Sequence, residues 1–271
     1  MSKCKYCGEK AGLFKDSHEE CKQKFENGRR MIISQLESSV FGDSNLSKIK
    51  NEIHSTAANS YIDEIRPLVI KGLELAIENK ISESPLFKEQ EDQIDAYVQH
   101  FNLSQDELNE NQGWRQAVQA LMIGELVENK LPERVSIAGD LPILIQDDEK
   151  IIWLFQEVDY YKVQSKSRRV GDYSGWSGRI LKGLYYRWGS FQSESVKSME
   201  IEHIDTGFLA LTQKQLYFYG NYKGFKLPYG RILAIEPYSD GVKIQKTHAN
   251  AYPISFITNE GWFTYNLLIN L

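Results

Sequence analysis

The chain has 271 residues, of which 41% are hydrophobic, 12% aromatic and 25% charged, with a formal net charge of −5. That is enough apolar material for one large or two modest folded domains, and it excludes collagen-like, low-complexity and disordered chains. No apolar run approaches the ~20 residues of a bilayer span, and an overall negative charge argues against a general nucleic-acid coat.

Met1-Ser2-Lys3-Cys4-Lys5 runs straight into cysteine and charge, which does not read as a signal peptide, so a cytoplasmic location is expected. All three cysteines fall within the first 21 residues, and in a reducing compartment an odd, clustered set favours metal binding over disulfides. Cys4-Lys5-Tyr6-Cys7-Gly8 has the C-x2-C-G form of a zinc knuckle, whose tight turn aims backbone N–H groups at two thiolates. Ser17-His18-Glu19-Glu20-Cys21 follows as an S-x-x-E capping box, predicting a helix start with His18 and Cys21 three apart on its first turn. Cys4, Cys7, His18 and Cys21 then complete a tetrahedral Cys3His set for a structural zinc ion, because four protein ligands leave no position open to substrate. The spacing C-x2-C-x10-H-x2-C resembles a small treble-clef zinc finger over residues 1–24.

Residues 25–139 carry apolar spacings of three and four, predicting a helical domain. Pro67 should kink or divide the second helix, and further helices are expected near 68–80, 86–101, 104–110 and 114–129. Ser104 with Glu107 makes a second capping box. Glu78-Asn79-Lys80-Ile81 and Glu128-Asn129-Lys130-Leu131 echo each other as helix ends. The first of these, leading into an acidic helix, weakly resembles TerB-like or degenerate EF-hand helical domains; the alternating carboxylates and glycine of a calcium loop are missing.

Near residue 140 the composition changes. Net charge moves from −6 over 1–139 to +1 over 140–271, and twelve of the 15 tyrosines and four of the five tryptophans lie in the second part. Short β-branched and aromatic runs at 141–145, 150–155, 158–163, 180–188, 207–212, 215–219, 224–227, 232–237, 241–245 and 254–257, separated by polar turns, predict an antiparallel meander. A closing helix over 259–271 should turn Trp262, Tyr265, Leu268 and Ile269 to one apolar face. About seven strands and a final helix follow the order of a pleckstrin-homology-like (PH) fold. Gly207-Phe208-Leu209-Ala210-Leu211-Thr212-Gln213-Lys214-Gln215-Leu216-Tyr217-Phe218 is similar to the G-x-L-x-L-T-x-x-x-L-x-F strand pair of GRAM and bacterial PH-like domains. Lys226-Leu227-Pro228-Tyr229-Gly230-Arg231-Ile232 resembles their next strands. The resemblance covers residues 140–271 and implies an α+β protein ending in an antiparallel β-barrel capped by a helix, serving as a docking module. The combination of finger, helical region and PH/GRAM-like end resembles a bacterial protein family.

The segment 160–188 is unusually basic. Lys166, Arg168, Arg169, Arg179 and Lys182 flank a glycine- and serine-rich stretch holding Tyr173 and Trp176, a composition suited to an anion, an anionic lipid or a partner. It is equally that of a charged hairpin tip. No phosphate-binding G-x-x-x-x-G-K-[ST], H-E-x-x-H or G-x-S-x-G occurs. His203 and Asp205 are expected as a hydrogen-bonded surface pair on one strand face, and His54, His100 and His248 stand alone. The expectation is therefore a non-catalytic adaptor that docks protein partners, with an anionic surface as a second contact. The alternatives are nucleic-acid binding through the finger and basic loop, or an enzyme with an unrecognised site.

Overall fold

The computed structural model describes residues 2–12, 15–135, 143–167, 197–248 and 251–271, with side chains throughout except at 163–167 and 197–200. The chain divides into two compact units, residues 1–124 and 125–271.

The first unit opens with a two-stranded antiparallel ribbon, β1 (Ser2–Lys3) and β2 (Lys10–Gly12), followed by α1 (Glu19–Val40). Then come α2 (Leu46–Asn59), α3 (Arg66–Glu83), α4 (Lys88–Phe101), α5 (Gln105–Asn109) and α6 (Gln112–Val127), the last ending just past the division. Pro67 divides rather than kinks: it sits in the first turn of α3, where its missing N–H has no helical partner to lose. The Asn79-Lys80 echo does not end a helix, since α3 continues to Glu83, whereas its counterpart does end α6, with Asn129 in the left-handed region at φ 59°.

Buried side chains at helical spacing converge from all these helices, among them Ile32 and Leu36 of α1, Ile53 of α2, Leu73 and Ile77 of α3, and Ile94 and Tyr97 of α4. The Tyr97 hydroxyl donates to the Val69 carbonyl at 2.9 Å, meeting its one buried polar group. Gly28 lets α1 approach the turn after α2 so closely that an added Cβ would lie 2.3 Å from the Ser60 Cβ. The predicted capping box forms at α5, with Ser104 and Glu107 bonding each other's backbone N–H. Arg66 also engages Glu107 through two bonds of 2.6 and 2.5 Å, and it donates to the carbonyls of Phe101 and Asn102 where α4 ends. One guanidinium thus ties the start of α3 to the end of α4 and the cap of α5.

In the second unit, β3 (Ile151–Ser167) and β4 (Lys197–Thr212) form a long hairpin, followed by β5 (Gln215–Gly220), β6 (Gly224–Pro228), a 3-10 turn at Tyr229–Arg231, β7 (Ile232–Pro237), β8 (Gly241–Lys246), β9 (Ile254–Ile257) and α7 (Gly261–Asn270). All pairings are antiparallel, in the order β6-β5-β4-β3-β9-β8-β7. The sheet is therefore open, which corrects the expected barrel. β6 and β7 are consecutive yet lie at opposite edges; at the corner between them the Tyr229 hydroxyl donates to the Thr212 carbonyl at 2.7 Å and its N–H to that of Lys214. Pro228 and Pro237, which bring no backbone N–H, stand at the ends of these two edge strands.

Residues 143–145 are not a strand, and Leu144 is exposed. The runs expected at 150–155 and 158–163 are one strand, β3, bent by irregular pairing between Phe155 and Val158 where Glu157 takes φ 53°. Leu209, Leu211, Leu216 and Phe218 of the G-x-L-x-L-T motif are core residues, and Thr212 is fully buried, donating to Glu149 at 2.8 Å. Tyr160 packs at the centre against Phe218 and Phe225, tilted, and against Phe256, stacked, and Phe263 of α7 meets Trp153 edge-on at 4.8 Å. α7 buries Phe263, Thr264, Leu267 and Leu268. Of the apolar face expected for Trp262, Tyr265, Leu268 and Ile269, Leu268 is buried and Tyr265 half-buried, whereas Trp262 and Ile269 point outward at 45% and 50% exposure.

Candidate metal centre

Cys4 and Cys7 bracket the turn between β1 and β2, and His18 and Cys21 stand at the start of α1. The turn closes through backbone bonds from Cys4 N–H to the Glu9 carbonyl and from Gly8 N–H to the Cys4 carbonyl, with Gly8 at φ 77°. A residue with a side chain would be strained there, which is why the knuckle ends in glycine. The α1 start differs from expectation: His18 is the N-cap, no side chain caps the helix, and the Ser17 hydroxyl turns to Asp16 at 3.0 Å. His18 instead sends its backbone N–H toward Cys4 Sγ at 3.4 Å, so ligand geometry takes precedence over the capping box.

The four donor atoms all lie within 4.8 Å of one another. His18 Nδ1 is 3.4 Å from Cys7 Sγ and 3.7 Å from Cys21 Sγ. A tetrahedral ion with bonds of about 2.3 Å to sulfur and about 2.0 Å to nitrogen sets such donors about 3.5 Å apart. The other ring nitrogen, Nε2, lies 3.0 Å from the Lys10 carbonyl, a partner that takes the N–H and leaves the Nδ1 lone pair facing the cluster. The residues present therefore fit a four-coordinate metal ion.

Burial alone would raise the Cys4 thiol, but backbone N–H groups of Cys7, His18 and Tyr6 bring it down to about 6. Cys21 is pushed up to about 11, first by burial and then by the sulfurs of Cys7 and Cys4. Three sulfurs this close resist sharing negative charge, and a divalent cation at their centre removes that conflict. The Tyr61 phenol on the loop after α2 is likewise raised, first by the Cys21 sulfur and then by burial.

A groove of about 510 Å³ opens next to the cluster, lined by Tyr6, Phe25, Arg29, Tyr61, Asp63 and Pro67 among others. The Tyr6 and Phe25 rings are 4.9 Å apart, and the Lys24 ammonium sits 5.3 Å from the Tyr61 ring centre.

Arg168, Arg169, Tyr173, Trp176, Arg179 and Lys182 lie outside the described residues, as does the side chain of Lys166, whose backbone pairs with Ser198 in the β3–β4 hairpin. His203 and Asp205 do not pair. An irregularity opposite Tyr160 and Tyr161 breaks the alternation on β4, so His203 meets Asp159 at 3.1 Å across the hairpin. Asp205 is buried and accepts backbone N–H bonds from Thr206, Tyr222 and Lys223, holding the β5–β6 turn. Among the described residues, no helix is long and apolar enough to cross a membrane. No protein-family model matches the chain, and no curated protein or solved structure matches it.

Proposed function

We propose that this chain is a non-catalytic docking protein, in which a structural zinc ion staples the N-terminal finger to the helical unit and a PH-like β unit presents a second contact surface. The observation that carries the reading is the outward face of α7. A helix whose inner side is already filled by Phe263, Leu267 and Leu268 still exposes Trp262 and Ile269. Trp262 and Ile269 stand seven residues, about two turns, apart and so share one side of α7, and an apolar strip on that side supports a partner contact there. Two further features support it. The Cys3His donor set is closed, as in structural rather than catalytic metal sites. Seven antiparallel strands followed by one C-terminal helix also agree with the PH/GRAM-like resemblance.

Affinity capture with the full-length protein tests the reading. A Trp262→Gln, Ile269→Gln variant that melts like the wild type should lose the proteins the wild type retains, and equal retention by both would refute the α7 surface. An Arg168→Glu, Arg169→Glu variant reports separately on the basic segment. Metal analysis of protein purified without chelator should return one zinc per chain.

A further inference from the structure

The groove on the first unit is built from three separate segments. The finger turn gives Tyr6, from between the ligands Cys4 and Cys7; α1 gives Phe25 and Arg29; the loop after α2 gives Tyr61, Asp63 and Glu64. Its volume of about 510 Å³ lies within the ~300–1,000 Å³ of ordinary ligand sites. Tyr61 stands in an unusual place. The Ile62 N–H bonds the Ala57 carbonyl at 3.0 Å as α2 ends, which leaves Tyr61 at the left-handed position, φ 58°, that glycine usually fills. The backbone there would be easier without an aromatic side chain, and strain of this kind is kept where the side chain is used. The half-buried Tyr61 ring lines the groove.

The charges on the groove are of both signs and do not meet. Arg29 is exposed, its guanidinium 5.8 Å from the Phe25 ring centre, and Asp63 and Glu64 are exposed on the other segment. Among the described residues none of these three has an oppositely charged partner, although all line one groove. The residues of this unit outside the described ones, 1, 13 and 14, have uncharged side chains. Lys5, the other cation of the lining, is joined to Asp16 at 3.3 Å instead.

We propose that this groove binds a peptide segment of a protein partner that carries an acidic and a basic side chain on either side of an apolar one. Arg29 takes the carboxylate, Asp63 and Glu64 take the cation, and Tyr6, Phe25 and Tyr61 receive the apolar side chain. A purely acidic segment would meet the like charges of Asp63 and Glu64, and a purely basic one those of Arg29 and Lys5. The Tyr6 and Phe25 rings pack at 4.9 Å, so the finger's wall of the groove stays in place only while Cys4 and Cys7 are held by the metal. That dependence rests on the zinc reading above. The site is separate from α7 and stands without that surface.

The probe is a short peptide with blocked ends, aspartate at one end, lysine at the other and Leu-Trp-Leu between, made in both orders. It is titrated into the full-length, metal-loaded protein and followed by the amide shifts of Tyr6, Arg29 and Tyr61. At least one order should shift these residues saturably. Arg29→Glu should weaken binding by about tenfold or more, and so should Asp63→Lys combined with Glu64→Lys. Replacing the peptide's aspartate with lysine should restore binding to the Arg29→Glu protein, a rescue that a merely structural arginine would not give. Tyr61→Gly suits the left-handed position, so it should keep the fold and lose the peptide; the exposed charge variants test the groove even where that substitution does not fold. No saturable shift with either order, or binding that survives both charge reversals, overturns the proposal. Stripping the metal should abolish binding, and unchanged binding after zinc has been removed would overturn it too. If metal analysis finds no zinc at all, the zinc reading fails while the titration still judges the groove. Protein capture through α7 is scored separately, so the docking reading of that helix stands or falls by itself.

Discussion

Substituting Cys21→Ser removes the ligand that stands on α1 itself, and the structure sets how far the damage should travel. From Cys21 to Gly28 is two turns, about 10 Å at 1.5 Å per residue. Within those turns no residue of α1 is fully buried, whereas Gly28, Ile32, Leu36 and Val40 beyond them are. Loss of the metal should therefore free the β1–β2 ribbon and fray α1 back to about Phe25, and stop where Gly28 locks against Ser60. The expected result is near-complete loss of amide-exchange protection in residues 2–25, with protection in the remainder of α1 and in α3 retained and only a small drop in helical circular dichroism. Zinc content should fall from one per chain to well below it. If α1 and α3 lose protection throughout, or if zinc remains stoichiometric, the reasoning that this site is a local staple with four necessary ligands is wrong.

Gly28→Ala should destabilise the helical unit by about 1–3 kcal/mol, because its Cβ would overlap Ser60; a denaturant midpoint equal to wild type would show that the turn yields freely. On α7, Leu267→Ala should cost about 2–5 kcal/mol and Ile269→Ala less than about 1 kcal/mol, since the first is fully buried and the second half exposed; similar thermal shifts would mean the helix packs differently. Glu107 is held at about 2, chiefly by the Arg66 guanidinium and then by Ser104, against an ordinary 4.5. The folded state therefore binds that proton less readily than the unfolded state, so the stabilisation is complete above pH 4.5 and is lost as pH falls toward 2. Glu107→Gln should flatten the decline of the urea midpoint through this window relative to wild type, and parallel declines would sink the assignment.

What could be read from the residues was whatever short-range chemistry controls. Cys4, Cys7, His18 and Cys21 were legible because a tetrahedral site demands close spacing in a knuckle and a helical turn, and the structure brings their donor atoms together. Ser104 with Glu107 and Pro67 were legible because caps and prolines act within one turn. The strands from β5 to β9 were legible because their β-branched and aromatic runs end at turn residues. Tertiary structure decided matters of partner and direction. Arg66 finds Glu107 across 41 residues, and no local pattern announces it. One irregular pairing on β4 separates His203 from Asp205, burying one for the β5–β6 turn and exposing the other to Asp159. Pairing of β3 with both β4 and β9 leaves β6 and β7 at opposite edges of an open sheet. α7 is apolar on both sides, so its periodicity could not choose the buried face; contact with Trp153 and with strands β7 and β8 chose Phe263 and Leu267, and left Trp262 and Ile269 outside. A side chain's spacing is a property of the chain, but the face it presents depends on what packs against it, and that is settled only when distant segments meet.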